Sequence, residues 1–245
     1  DSTISNHNNV KALLFDVFGT VVDWRTSIIQ ECEVLAEGKN LNIDWSEFVD
    51  DWRAGYRPAI DTIRLDGAKW RILDDLHREI LLKLLNQHSI SLPDSEIECL
   101  NTCWHRLYPW EDSVNGLIQL NKMFITAALS NGNMSLLTNM AKFAGLPWTC
   151  ILSAELFKHY KPDPEGYIEA VSLLGLYPNE VMMVAAHKSD ILAAKKCGLV
   201  TAYINRPYEF GDYFVEFDQI EEGIDYWASD IEMLAEQLGN ELTRS

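Results

Sequence analysis

The sequence predicts an α/β fold: a parallel-sheet core interrupted by an inserted helical segment. Three observations carry that prediction. Short, continuously apolar runs recur along the chain, each followed by polar or glycine-containing sequence. Between Thr26 and about Tyr108 the apolar spacing becomes helical instead. The length, 245 residues with 47% apolar and 23% charged, suffices for one large domain or a core that carries a smaller insertion.

The opening run, Lys11-Ala12-Leu13-Leu14-Phe15, is apolar on both alternating faces after its first residue, as in a strand buried on both sides of a parallel sheet, and it ends at Asp16. Next come helical stripes. Trp45, Phe48, Val49 and Trp52 share one face, and Leu73, Leu76, Ile80, Leu81, Leu84 and Leu85 share another. Stripes of this kind are packing and receive no chemical role. They describe an all-helical cap of about four helices set into the first crossover, with its exit at Pro109-Trp110. The expected division is therefore a core of residues 1–23 and 109–245 and a cap of residues 24–108. Further strands are expected at Met123–Leu129, Thr149–Leu152, Val181–Ala185 and Val200–Ile204. Acidic stretches at Asp94–Glu98 and Glu216–Asp225 read as solvated surface.

A net charge of −17 repels phosphate backbones and anionic lipid, which argues against nucleic acid and membrane surfaces as partners. An anionic substrate would need a basic pocket working against that field. No apolar run approaches the ~20 residues of a membrane span, and Asp1–Val10 is polar, unlike an export signal. Cys32, Cys99, Cys103, Cys150 and Cys197 are odd in number and scattered, as thiols are in a reducing compartment; the reading is cytoplasmic. Cys99 and Cys103 could share a helix face, but two thiols make a poor zinc site.

Open parallel sheets bind ligands at the carboxyl ends of their strands. Those ends are polar here: Asp16-Val17-Phe18-Gly19-Thr20, Ser130-Asn131-Gly132, Lys161-Pro162-Asp163 and Ala186-His187-Lys188-Ser189-Asp190. A carboxylate leaving a buried strand just before a glycine loop is presented as a nucleophile. A lysine from another strand end holds it ionised, and Ser130 and Asn131 can donate to a bound anion. Each piece alone has a plainer reading, as helix cap, turn or loop. Their order and spacing together favour a catalytic site.

These four motifs resemble those of the haloacid dehalogenase superfamily, over nearly the whole chain. The resemblance implies a Rossmann-like core, a helical cap and a covalent aspartyl intermediate on Asp16. The superfamily's magnesium-dependent phosphatases carry a second Asp two residues after the nucleophile, where Phe18 stands, and an acidic pair in the fourth motif, where Ala186 occupies the first position. Loss of both disfavours a metal, and no metal or cofactor is expected. Displacement of halide needs neither the acid nor the dication.

The form of the first motif resembles the L-2-haloacid dehalogenase subgroup, as do Tyr167, six residues after Lys161, and Arg53 beside Trp52 in the cap. Better-known members carry serine and asparagine at positions 186 and 187. His187 is similar instead to a minority branch that uses a histidine with an acidic partner, for which Asp23 is the candidate. The expected function is metal-independent hydrolysis of small 2-haloacids to 2-hydroxyacids. Asp16, Thr20, Asp23, Lys161, His187 and Asp190 are the catalytic residues, and Val17, Phe18, Arg53, Ser130, Asn131 and Tyr167 receive the substrate. A homodimer is implied by the resemblance. The alternatives are a phosphatase of the same fold and a catalytically silent member; for Arg53 the alternative is a helix-surface salt bridge.

Overall fold

The computed structural model describes residues 9–212 and 222–244. The first strand, β1 (Ala12–Phe15), is buried throughout. A short strand β2 (Val22–Asp23) leads into five helices: α1 (Trp24–Ala36), α2 (Trp45–Ala54), α3 (Tyr56–Arg64), α4 (Leu73–Gln87) and α5 (Asp94–Asn101). A 3-10 turn at Thr102–His105 closes the series, and β3 (Tyr108–Pro109) returns antiparallel to β2, so the helices hang from a two-stranded ribbon. The expectation of about four helices is short by one: α1 begins at Trp24, capped by Asp23, whose side chain accepts from Thr26 N.

The chain then alternates. It runs through α6 (Ser113–Asn121), β4 (Ile125–Ser130), α7 (Met134–Ala144), β5 (Cys150–Ser153), α8 (Ala154–Phe157), α9 (Pro164–Leu173), β6 (Val181–Ala185), α10 (Lys188–Lys196), β7 (Val200–Ile204), β8 (Tyr226–Ala228) and α11 (Ile231–Arg244). The five expected strands are present, two of them with the expected bounds; β8 was not anticipated, being three residues long. All six strands of the main sheet are parallel, in the order β5-β4-β1-β6-β7-β8. Connections run outward from β1 on one side and restart at β6 on the other, so the crevice for ligands opens between the ends of β1 and β6.

The expected helical stripes are core. Phe48, Val49 and Trp52 on α2, and Leu81, Leu84 and Leu85 on α4, pack in one continuous cluster with Leu13 and Phe15 of β1 and Val184 of β6. A second apolar cluster on the other face of the sheet joins Leu14, Ala127, Met183 and Tyr167. Ile60, Leu73 and Leu76 of the insertion meet Ala154 and Tyr160 of the core. Polar ties fix the same junction: Arg64 bonds Asp163 at 2.9 Å, and Asp74 accepts from Asn133 and meets His105, each at 3.0 Å. The helices are thereby held over the strand ends.

Cys99 is exposed and Cys103 buried, so they do not share a face; the five thiols are free. In the first acidic stretch, Glu96 bonds Lys39 and Glu98 bonds Arg78 at the surface. In the second, Asp225 holds Lys195, while residues 216–221 lie outside the described residues, as do residues 1–8 of the polar start. Among the described residues no helix is long and apolar enough to cross a membrane.

Candidate active site

Asp16 is the first residue beyond β1. Its amide donates to Val184 O at 3.0 Å, which extends the ladder one residue and fixes the carboxylate at the sheet's edge. Thr20 donates to Asp16 Oδ2 at 2.8 Å and accepts from Ala186 N at 2.9 Å, tying the first loop to the end of β6. His187 Nδ1 meets the same Oδ2 at 2.7 Å. Lys161 Nζ lies 2.6 Å from Asp190 Oδ2 and 3.3 Å from Asp16 Oδ1, and Tyr167 donates to Asp190 Oδ1. Oδ2 is thus pinned by two strong contacts, and Oδ1 by one long one.

Asn131 bridges the floor to the insertion. Its amide donates to Tyr56 Oη at 2.6 Å, and its carbonyl accepts from Lys161 N at 2.8 Å. Ser130 Oγ accepts from Gly132 N at 3.1 Å, which leaves its own hydrogen available to a ligand. The side chain of Val17 packs in the core and its carbonyl accepts from Val21 N, so only its backbone is near the site. These groups floor a cavity of about 170 Å³, roofed by Phe18, Arg53, Tyr56, Arg57, Leu73, His77 and Trp104.

Among the described residues Arg53 has no salt-bridge partner. Its guanidinium lies over the Tyr56 ring at 4.5 Å and the Trp24 ring at 5.8 Å, inside the cavity wall. His77 stacks on Trp104 at 4.3 Å, and Phe18 meets Trp104 edge-on at 5.9 Å. Leu73 belongs both to the core and to this wall, a part that its leucine stripe did not disclose.

The acidic partner of His187 is not Asp23. The Asp23 carboxylate is spent on the amide of Thr26 at the start of α1. Nε2 of His187 meets Glu209, at 2.6 Å to Oε1 and 2.9 Å to Oε2. Glu209, 3% exposed, lies beyond β7 and is steadied by the Trp24 indole at 3.3 Å. Arg206 anchors that turn through Asp112 at 2.7 Å and Thr20 O at 2.9 Å. Gly19 admits it: φ is +84°, and a Cβ there would lie 2.3 Å from Glu209 Oε2. Gly19, three residues after Asp16, therefore makes room for a second carboxylate as well as a tight loop.

Burial alone would raise the Asp16 carboxyl, but the charges of Lys161 and His187 and the bonds from His187 and Thr20 outweigh it and hold the group well below the usual range. Burial would lower His187, yet Asp16 and Glu209 push it up to about 10. Lys161 is likewise raised against its burial by Asp190 and Asp16. The Asp16 carboxylate is ionised between two cations that are themselves paired with Asp190 and Glu209, and the positive charge left over for an anion is that of Arg53 and Arg57 in the wall; close by, in a partly buried site, such charges outweigh a screened surface field. His77, pushed down to about 3 by burial and by Arg53, is neutral.

A divalent ion fits this donor set poorly. The oxygens of Asp16 and Asp190 that would hold it already share the Lys161 ammonium, and the strand-end position between them is Ala186, which offers no side-chain oxygen.

A family model described as haloacid dehalogenase-like hydrolase matches residues 10–198. The chain belongs to the haloacid dehalogenase-like hydrolases. Within that family it is similar to the solved L-2-haloacid dehalogenase PA0810, 43% identical with a TM-score of 0.91, covering 94% of this chain and 99% of that one. The defluorinating L-2-haloacid dehalogenase Rha0230 is 44% identical with a TM-score of 0.90, covering 94% and 95%. The (S)-2-haloacid dehalogenase 4A of Burkholderia cepacia is 29% identical over 83% of this chain and 88% of its own.

Proposed function

We propose that this family member hydrolyses the carbon–halogen bond of small 2-haloacids by way of an ester on Asp16. The observation that carries the reading is the ionised Asp16 carboxylate, held by Lys161, Thr20 and His187 without oxygen ligands set out for a metal. Asp16 Oδ1, the less encumbered oxygen, attacks the carbon bearing the halogen from behind; the C–O bond forms as the C–halogen bond breaks, and halide leaves beside Arg53. Such alignment supplies roughly 7 to 11 kcal/mol over free encounter. Ser130 and the backbone after Asp16 receive the substrate carboxylate. Inversion at that carbon is the stereochemical result.

Esterification cancels the Asp16 charge that held the His187 proton. The imidazolium then gives up its Nδ1 proton to solvent while Nε2–H stays on Glu209, which fixes the tautomer whose Nδ1 faces the ester; this is the one proton released per turnover. Neutral His187 takes a proton from water as its oxygen adds to the Asp16 carbonyl carbon. When the adduct collapses, His187 returns its proton to the departing alkoxide and recovers one from Asp16, which restores the starting site. Lys161, Tyr167 and Asp190 keep the carboxyl in place throughout.

In this reading residues 24–108 act as a cap over a core of residues 1–23 and 109–245. Free, scattered thiols support a cytoplasmic location, the family resemblance supports a homodimer, and the net charge of −17 argues against nucleic acid or membrane as partner.

A single turnover of L-2-chloropropionate in heavy-oxygen water, with chelator present, tests the mechanism. The label should enter the protein at Asp16 and leave the first 2-hydroxypropionate unlabelled; label in the product alone overturns the ester. Parallel arms with fluoroacetate and with a phosphate monoester plus magnesium separate fluoride acceptance from the phosphatase reading.

A further inference from the structure

We propose that Arg57 is the entry residue of this pocket: a guanidinium at its mouth that captures the carboxylate of the incoming anion and sets kcat/KM while taking no part in bond changes. The inference rests on the pocket being the site of a small anionic substrate. It goes beyond that reading by naming how such an anion reaches a chain of net charge −17.

Apart from Arg244, the last residue of α11, the arginines of this chain divide in two. Arg25, Arg64, Arg71, Arg78, Arg106 and Arg206 each hold a carboxylate at 3.0 Å or less. Arg53 and Arg57 hold none among the described residues, and both line the cavity. With acids in such excess, a surface guanidinium left without one is informative. The local cause is visible on α3, where the sole acid is Asp61, one turn beyond Arg57, and Asp61 is taken by Arg64 at 2.6 Å. Asp163, across the junction, is taken by Arg64 as well. Arg64 thus removes the two carboxylates that would otherwise neutralise the mouth.

Position separates the two free arginines. Arg53 is half-buried against Tyr56 and Trp24, inside the wall. Arg57 is exposed while still lining the cavity, as is Ser189 on the opposite, core side, so the opening lies between them. An anion would meet Arg57 first, then Arg53 and the Lys161 floor, along a gradient of increasing burial. A cation at the rim of a low-dielectric cleft raises the local concentration of a counter-ion and its rate of entry.

Steady-state halide release from L-2-chloropropionate tests this with three variants. Arg57→Gln should lower kcat/KM about threefold to tenfold at low ionic strength, through KM, with kcat unchanged, and the deficit should close as salt approaches about 1 M. Arg57→Lys should recover most of it. Arg78→Gln, which removes the same charge from a surface pair with Glu98, should match wild type. If Arg57→Gln behaves as Arg78→Gln, or if kcat falls with KM unchanged, the proposal is overturned. A second arm needs no turnover: titration with 2-hydroxypropionate, followed by tryptophan fluorescence, should show weaker binding in Arg57→Gln by the same factor. Should wild type release no halide at all, the functional reading falls, and this arm still decides Arg57; equal affinities there would end it.

Discussion

On the sheet side of the pocket the reacting cluster is saturated with partners: Asp16 with Thr20, His187 and Lys161, Asp190 with Lys161 and Tyr167, and His187 with Glu209. On the insertion side His77 Nδ1 and Trp104 Nε1 are buried with no partner among the described residues, and Arg53 rests on aromatic rings instead of a carboxylate. The contrast divides the work. In the proposed reaction the floor must hold one carboxylate ionised and aimed through two steps, and it is fixed before substrate arrives, because reorganisation during reaction would raise the barrier. The roof, which in the same proposal receives a halide and an alkyl group, keeps its donors uncommitted and its walls aromatic.

Three experiments test that division. The largest effect is expected on the floor. Glu209→Gln should slow ester hydrolysis about a hundredfold, the scale of a general base losing its orientation, so that the Asp16 ester accumulates and is visible by intact mass. Asp23→Asn, which keeps the cap of α1, should turn over as wild type does. A slowed Asp23→Asn beside a normal Glu209→Gln would return the dyad to Asp23, and normal turnover in both would remove it from the mechanism. The roof should yield a smaller change. Arg53→Lys keeps the charge but not the planar stack on Tyr56 and Trp24, and should cost about tenfold in kcat/KM with no ester accumulation. Ester accumulation in that variant would mean that roof and floor are not separable.

The smallest effect is on stability. His187 is raised from 6.5 to about 10, so its contribution is complete below pH 6.5 and fades as pH rises through about 10. Wild-type Tm should fall across that window more than that of His187→Asn, while Arg53→Lys should track wild type. Thermal melts at stepped pH check this. Parallel slopes in wild type and His187→Asn would show that the imidazole carries no extra proton at rest.

The strand ends were legible because buried parallel strands are continuously apolar and stop abruptly, so Asp16 just past β1, Ser130 at the end of β4 and His187 just past β6 stand out, while Lys161, eight residues past β5, was found by its place in the order of the four motifs. The end of β7 stops just as abruptly, but Glu209 stands five residues further on, in a turn with no pattern of its own. Its signal was indirect. A glycine at position 19 leaves space for something, and neither spacing nor composition says what fills it. Tyr56, His77 and Trp104 were hidden for the opposite reason, since an aromatic residue on a helical stripe looks the same whether it faces the core or a cavity.

Linear patterns settled the class of fold and the family, since these depend on short motifs in a fixed order and on one or two periodicities. The partner of His187, the stacking of Arg53 and the open mouth at Arg57 came from folding. Each depends on which carboxylate or ring lies within a few ångströms: Asp23 is adjacent in sequence to the helix it caps and is used there, whereas Glu209 is brought by the order of the strands, by Arg206 and by the missing Cβ of Gly19.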